Sequence, residues 1–326
     1  MKKTIVAVLV VLMIAALAVP TFAQPKIKVL FMPGVTDPFY YTMEKGIKAA
    51  AAKAGVDLTV AEYPKAWGPE NQVPILQAMV AKDKYDLLLI APTSADALKA
   101  PLKAIYDKGT EIITVDTYIG DGDYSKAGTD YGFPLSYIGS DNFLGGKQMA
   151  EQLAKLVGEK GKVFIEATNP DTSSVLGRVK GFTAGVTEFP NMLLAGVEWC
   201  QDVQQTAQQQ VLTALQINKD IVGIFGLNVF SAQGASQAVI NAGLAGAVKM
   251  CLWDATLSNI DNLKKGNADL VLAQKPGEMG SLAIEWGVKY LKDKKNVKVP
   301  KKVIPGFVFF TAQNVNDADM QQYIYQ

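Results

Sequence analysis

The chain of 326 residues has a single arginine, Arg178, no histidine, and lysine for every other basic side chain. A guanidinium kept at one position points to a task that an ammonium cannot perform: a planar, permanently charged fork that donates to ligand oxygens. The alternative is a surface residue that snorkels and was never replaced by lysine. Other groups with chemical potential recur along the chain: Asp37 with Phe39 and Tyr40, Asp116 with Thr117, then Trp199, Asn228, Asp254 and Gln274. No nucleophile–histidine pair can exist, so this inventory is suited to gripping hydroxyls. Asp accepts from a hydroxyl, Arg donates to it, Asn or Gln does either, and an aromatic face takes the apolar C–H face of a sugar ring. A polyol leaves many water hydrogen bonds on entry, and each one left unreplaced costs about 1–3 kcal/mol.

These groups follow short apolar runs. Val29 to Met32 precedes a stretch from Phe39 to Ala54 in which Phe39, Met43, Ile47 and Ala51 recur every four residues and Gly55 ends the pattern. Leu58 to Val60, Leu87 to Ile90, Ile112 to Val115, Val163 to Ile165, Leu193 to Val197, Ile221 to Phe225, Val248 to Leu252 and Leu270 to Ala273 read as further strands. Helices with caps at Ser94 and Asp141 separate them. Near-continuous apolar strands between helices indicate parallel sheets covered on both faces, a doubly wound α/β fold. In such sheets a ligand lies beyond the carboxyl ends of the strands, where the inventory above is found.

Composition narrows the class. Met1-Lys2-Lys3, an apolar run from Ile5 to Val19 and a close on Ala23 have the parts of a secretory signal peptide covering residues 1–23. The run is shorter than the roughly 20 residues of a membrane span, so an exported, periplasmic protein is expected. The remaining length suggests two domains. A net charge of +1 gives no reason to expect nucleic acid or an anionic membrane as partner. Cys200 and Cys251 could form a disulfide in an oxidising compartment; we read both as buried apolar residues.

The segments at the strand ends resemble the periplasmic sugar-binding proteins of the ribose-binding type, the type I solute-binding components of ABC importers. The resemblance runs through Asp37-Pro-Phe39-Tyr40, Val115-Asp116, Ser140 to Gly146, Arg178-x-x-Gly-Phe182, Asn228, Trp253-Asp254 and Ala273-Gln274. It implies two Rossmann-like lobes joined by a hinge, residues 25–140 with 275–306 and residues 141–274 with 307–326. It implies a sugar or polyol ligand, transient docking on a membrane permease, a monomer, and no cofactor, metal or catalytic step. Asp37, Asp116, Arg178, Asn228, Asp254 and Gln274 would hydrogen-bond the sugar, and Phe39 and Tyr40 would sandwich its ring. Thr117 stands where ribose binders often carry a second arginine, and Asp37 replaces their usual asparagine; both changes argue against ribose. For the aromatic of the opposite wall, an ungapped register would place Gln201 or Asp202, and we favour Trp199, with Trp67 a weaker candidate.

Other features have plainer readings. Asp121, Asp123 and Asp130, in a loop from Tyr118 to Phe133 that could cover the cleft, lack the twelve-residue pattern of an EF-hand. Gln204 to Gln210 keeps an apolar period through Ala207, Val211 and Leu215 and reads as an amphipathic helix. Gly145-Gly146, Gly158 and Gly161 form no dinucleotide fingerprint. Lys292 to Lys302 reads as an exposed crossover. A repressor module would need a helix-turn-helix where the export signal stands, and a hydrolase would need a nucleophile or metal cluster. A receptor for autoinducer-2 or a chemotactic sugar would share fold and export and differ only in ligand.

Overall fold

A computed structural model describes residues 26–325. The expected signal peptide lies outside the described residues. Two six-stranded sheets organise the molecule. In the first, β1 (Lys28–Met32), β2 (Asp57–Val60), β3 (Leu87–Ile90), β4 (Glu111–Val115), β5 (Ser136–Ile138) and β11 (Lys302–Val303) run in the order β11-β5-β4-β3-β1-β2, all parallel. In the second, β6 (Lys160–Ala167), β7 (Asn191–Trp199), β8 (Ile221–Gly226), β9 (Lys249–Trp253), β10 (Leu270–Ala273) and β12 (Val308–Phe310) run in the order β12-β10-β9-β8-β6-β7. There β12 pairs antiparallel with β10 at one edge, and every other pairing is parallel, as expected of a doubly wound fold. Strands β5, β11 and β12 are two or three residues long, too short for an apolar run to mark them.

Helices α1 (Pro38–Ala54), α2 (Pro69–Lys82) and α3 (Lys99–Tyr106) connect strands of the first sheet. Helices α4 (Asn142–Val157), α5 (Ser173–Thr187), α6 (Gln204–Ile217), α7 (Val229–Asn241) and α8 (Leu257–Lys264) flank the second. The last, α9 (Pro276–Lys292), returns to pack on α1 of the first sheet's layer. The chain thus crosses between the sheets near Ser140, Gln274 and Phe307.

Local rules explain the elements that matter to the site. In β1, Val29 to Met32 are fully buried, as a strand covered on both faces requires. On α1 the four-residue row Phe39, Met43, Ile47 and Ala51 is buried, and Gly55 closes the helix with φ +69°, a left-handed conformation that glycine adopts without strain. Asp141 caps α4 through a hydrogen bond from the Leu144 amide. Ser94 accepts from the Asp96 and Ala97 amides, so it caps a turn ahead of α3 rather than the helix itself. The glutamine-rich segment forms α6 with Ala207, Val211, Ala214 and Leu215 inward. Both cysteines are free and buried. Among the described residues no helix is long and apolar enough to cross a membrane.

Candidate functional site

The carboxyl ends of both sheets face one cleft of about 390 Å3, a volume that includes space open to solvent. From the first sheet's side come Val35, Asp37, Phe39, Tyr40, Trp67 and Asp116. From the second sheet's side come Thr168, Thr172, Ser174, Val175 and Arg178, then Asp202, Asn228 and Asp254. Gln274, at one crossing, closes the ring.

Arg178 is held on three sides. Its Nε donates to Asn142 Oδ1 at 2.9 Å, an Nη1 hydrogen goes to the Leu227 carbonyl at 3.0 Å, and its guanidinium carbon lies 4.3 Å from the centroid of the Trp253 ring. A guanidinium has five N–H groups, so these bonds leave donors for the cavity. Gly145 and Gly146 make this cradle possible: a Cβ at Gly146 would sit 2.2 Å from the Arg178 carbonyl oxygen, and one at Gly145 would sit 2.5 Å from the Trp253 ring. The glycine pair is a close-packing device between α4, α5 and β9.

The carboxylates are positioned by strained backbone or by helix caps. Asp116 follows β4 with φ +61°, and Asp254 follows β9 with φ +74°. Non-glycine residues in this region cost on the order of 1–3 kcal/mol and collect at functional sites. Asp116 Oδ2 accepts from the Tyr40 hydroxyl at 2.8 Å, while its buried Oδ1 has no partner. Burial pushes the Asp116 carboxyl up to about 6, against the pull of Arg178 and Tyr40. Asp254 Oδ1 accepts from Gln274 Nε2 at 2.9 Å and from the Tyr325 hydroxyl at 3.2 Å, and burial raises its pKa against the opposing pull of Arg178. Asp37 is the N-cap of α1, its Oδ1 accepting from the Phe39 and Tyr40 amides. Burial, reinforced by the Asp254 charge, holds its pKa well above the usual range. Asn228 caps α7 by accepting from the Phe230 amide, and Gln274 Oε1 accepts from the Ser140 hydroxyl at 2.7 Å. Tyr325, near the chain end, also accepts from the Gln274 amide at 2.8 Å and meets the Phe39 ring edge-on at 5.8 Å.

Eight of the expected residues therefore converge here: Asp37, Phe39, Tyr40, Asp116, Arg178, Asn228, Asp254 and Gln274 all line the cavity. Two do not. Thr117 is buried beneath the strand ends, its hydroxyl donating to the Pro92 carbonyl at 2.7 Å. Trp199, the last residue of β7, packs against the hydrophobic core behind the sheet. Asp202 lines the cavity instead, because Gln201 and Asp202 both take positive φ, 53° and 58°, and turn the chain back over the strand end. Burial lifts the Asp202 carboxyl to about 6, opposed by hydrogen bonds with the Thr168 and Asn228 side chains.

Trp67 also faces the cavity, with its ring packed over Gly34 and its buried Nε1 unpartnered. Thr168, Thr172 and Ser174 are not among the residues expected to contact a ligand; their sequence signal is their position after the apolar run that ends β6. The loop from Tyr118 to Phe133 reaches the second sheet's side, where the Tyr118 amide donates to Ser173 Oγ at 3.1 Å. Its Asp121 and Asp123 pair with Lys126. Among the described residues no group of carboxylates and thiols is placed to hold a metal ion.

Residues 28–295 match the model of a family described as periplasmic binding protein domain. The ribose import binding protein of Salmonella typhimurium is 28% identical over 297 residues, 90% of this chain and 94% of that protein. The D-allose-binding periplasmic protein of Escherichia coli is 26% identical over 268 residues, 82% of this chain and 85% of that one. A crystal structure of an ABC transporter solute-binding protein from Agrobacterium vitis, bound with α-D-tagatopyranose, superposes with a TM-score of 0.89 at 38% identity, covering 92% of this chain and all of that one.

Proposed function

The chain belongs to the periplasmic binding protein family, whose members bind solutes for ABC importers and carry out no catalysis, and on that premise we propose that it captures a neutral monosaccharide or related polyol between its two sheets. The observation that carries this reading is the buried guanidinium of Arg178, which shares one small cavity with Asp116 from the first sheet and Asp254 from the second. The aromatic rings that line the cavity come from the first sheet's side and the guanidinium from the second, so a ligand that needs both favours the conformation in which the two approach.

In this reading Asp37, Asp116, Asp202 and Asp254 accept hydroxyl protons, Arg178 and Asn228 donate, and Gln274 orients Asp254. Phe39, Tyr40 and Trp67 take the C–H face of the ring. The moving bodies are residues 25–140 with 275–306 and residues 141–274 with 307–326, hinged at the three crossings. Export by the N-terminal segment delivers the chain to the periplasm as a monomer, and the loaded form docks on a membrane permease.

A thermal-shift screen against pentoses, hexoses, deoxy sugars and polyols tests capture. A ligand at 100 times its dissociation constant adds about 2.7 kcal/mol. Small-angle scattering with the best hit tests closure: an unchanged radius of gyration at saturation counts against a hinge.

A further inference from the structure

The two walls of the cavity differ in kind, and that difference selects among sugars. We propose, on the reading given above, that the ligand is a pyranose with two unlike faces: one bare of hydroxyls, turned to Phe39 and Trp67, and one carrying at least one axial hydroxyl, turned to Thr172 and Asp202.

All three aromatic rings that line the cavity belong to the first sheet's side; the second sheet's side contributes hydroxyls, a carboxylate pair, an amide, a guanidinium and the small apolar Val175. Trp199, the ring nearest in sequence, does not line the cavity and packs, partly buried, against the core. One group of the polar wall is unsatisfied as it stands. Thr172 occupies the N-cap position of α5 yet makes no capping hydrogen bond; its hydroxyl is buried without a partner, and the residue lines the cavity. A threonine at that position ordinarily accepts from an amide of the first turn, so a hydroxyl withheld from the helix is available to something else. Asp202 is brought to the same wall by two consecutive left-handed residues, a conformation that persists only when other interactions compensate.

A pyranose whose hydroxyls are all equatorial shows axial C–H bonds on both faces. Set between these walls, it would lay one face on the rings and press the other against Thr172 and Asp202, leaving the Thr172 hydroxyl buried against C–H groups with no partner. An axial hydroxyl on the second face both donates to Asp202 and accepts from Thr172, while the first face keeps its contact with the rings. Sites built to hydrogen-bond a hydroxyl reject analogues that lack it far more strongly than apolar pockets discriminate by size.

The test is calorimetric titration of the purified mature chain with D-talose, D-galactose and D-allose, which carry axial ring hydroxyls, beside D-glucose and D-xylose, whose ring hydroxyls beyond the anomeric centre are equatorial, each sugar also taken as its 1,5-anhydro form, which has no anomeric hydroxyl. We expect the best axial sugar to bind at least about tenfold more tightly than either equatorial one. Thr172→Val should weaken that sugar by about tenfold and leave weak binding of D-glucose or D-xylose within about twofold. Binding of 1,5-anhydro-D-glucitol or 1,5-anhydroxylitol to the unmodified chain as tight as that of the best axial 1,5-anhydro form overturns the assignment of faces, whether or not the variant folds, and so does an equal loss in both series. Failure of every sugar to bind overturns capture itself, a distinct result.

Discussion

The guanidinium carbon of Arg178 sits 4.3 Å from the centroid of the Trp253 indole, and both side chains are buried. Trp253 ends β9 and Asp254 follows it at positive φ, so one strand end both supports the cation from below and opposes it with a carboxylate. A desolvated contact of this kind is worth about 2 kcal/mol or more, and the fixed ring also orients the fork.

Arg178→Lys should therefore weaken ligand binding and also lower the stability of the unliganded chain. An ammonium cannot reach Asn142 Oδ1 and the Leu227 carbonyl together while lying flat on the indole. Each abandoned acceptor costs about 1–3 kcal/mol. Paired titration calorimetry and thermal melting check this; a variant that loses affinity at an unchanged melting temperature would show that the cradle adds nothing to the fold.

Trp67 and Trp199 separate a ligand contact from a core residue. Trp67→Ala should reduce affinity by about tenfold or more, since it removes one of the rings that line the cavity. Trp199→Ala should leave affinity nearly unchanged and cost about 2–4 kcal/mol of stability, because its ring packs behind the sheet. Reversed effects in the two variants would return Trp199 to the site.

That contrast marks how far the site is legible in sequence. Apolar runs locate strand ends, and strand ends locate Asp37, Asp116, Asn228, Asp254 and Gln274, because burial of a parallel strand and exposure of its carboxyl end have one cause. The four-residue row on α1 likewise carries Phe39 into place. The choice between Trp199 and Asp202 turns on two non-glycine residues in the left-handed region; aspartate enters it more readily than most, but Gln201 gives no such sign. Thr117 misled for a related reason: adjacent to Asp116 in sequence, it has its hydroxyl turned down to Pro92 once the backbone reverses at φ +61°. Short edge strands such as β12 carry too few residues for any period to register.

Ligand-induced stabilisation should be larger at pH 7.5 than at pH 5. The Asp116 and Asp202 carboxyls titrate at about 6, so above that value both are ionised and can accept from ligand hydroxyls, and below it a proton competes. The unliganded chain responds in the opposite sense. A carboxyl whose folded pKa is raised contributes stability that is complete below its unfolded value near 3.8 and is lost as pH rises through about 6. Melting curves with and without ligand across pH 4.5–8 check both signs, and a shift independent of pH would remove these carboxylates from ligand contact.

Glu166, on β6, is fully buried, neither carboxyl oxygen has a partner, and burial with the nearby Glu198 charge pushes its pKa up to about 9. It is a neutral acid at pH 7. In the unfolded chain it ionises near 4.5, so its contribution to stability falls as pH rises from about 4.5 to about 9 and is level beyond. Glu166→Gln keeps the shape and abolishes the titration. The variant should gain on the parent as pH rises, reaching an advantage on the order of a few kcal/mol by pH 9. Denaturant melts at pH 5, 7 and 9 that run parallel for the two proteins would show that Glu166 is ionised in the folded chain.

Gly146→Ala tests whether the helix contact positions the cation. The added Cβ would meet the Arg178 carbonyl oxygen at 2.2 Å, and that neighbour is backbone, which cannot rotate away. Helix α5 must shift from α4, carrying Arg178 off Asn142 and the Trp253 ring. Overpacking alone costs about 1–3 kcal/mol, and the shift adds a binding defect, since displacement of a positioned donor by a fraction of an ångström weakens its hydrogen bonds. Alanine is the better helix former, so a gain in stability is the outcome expected if the two helices could separate freely. A stabilised variant with unaltered affinity would mean that α4 does not hold Arg178 in place.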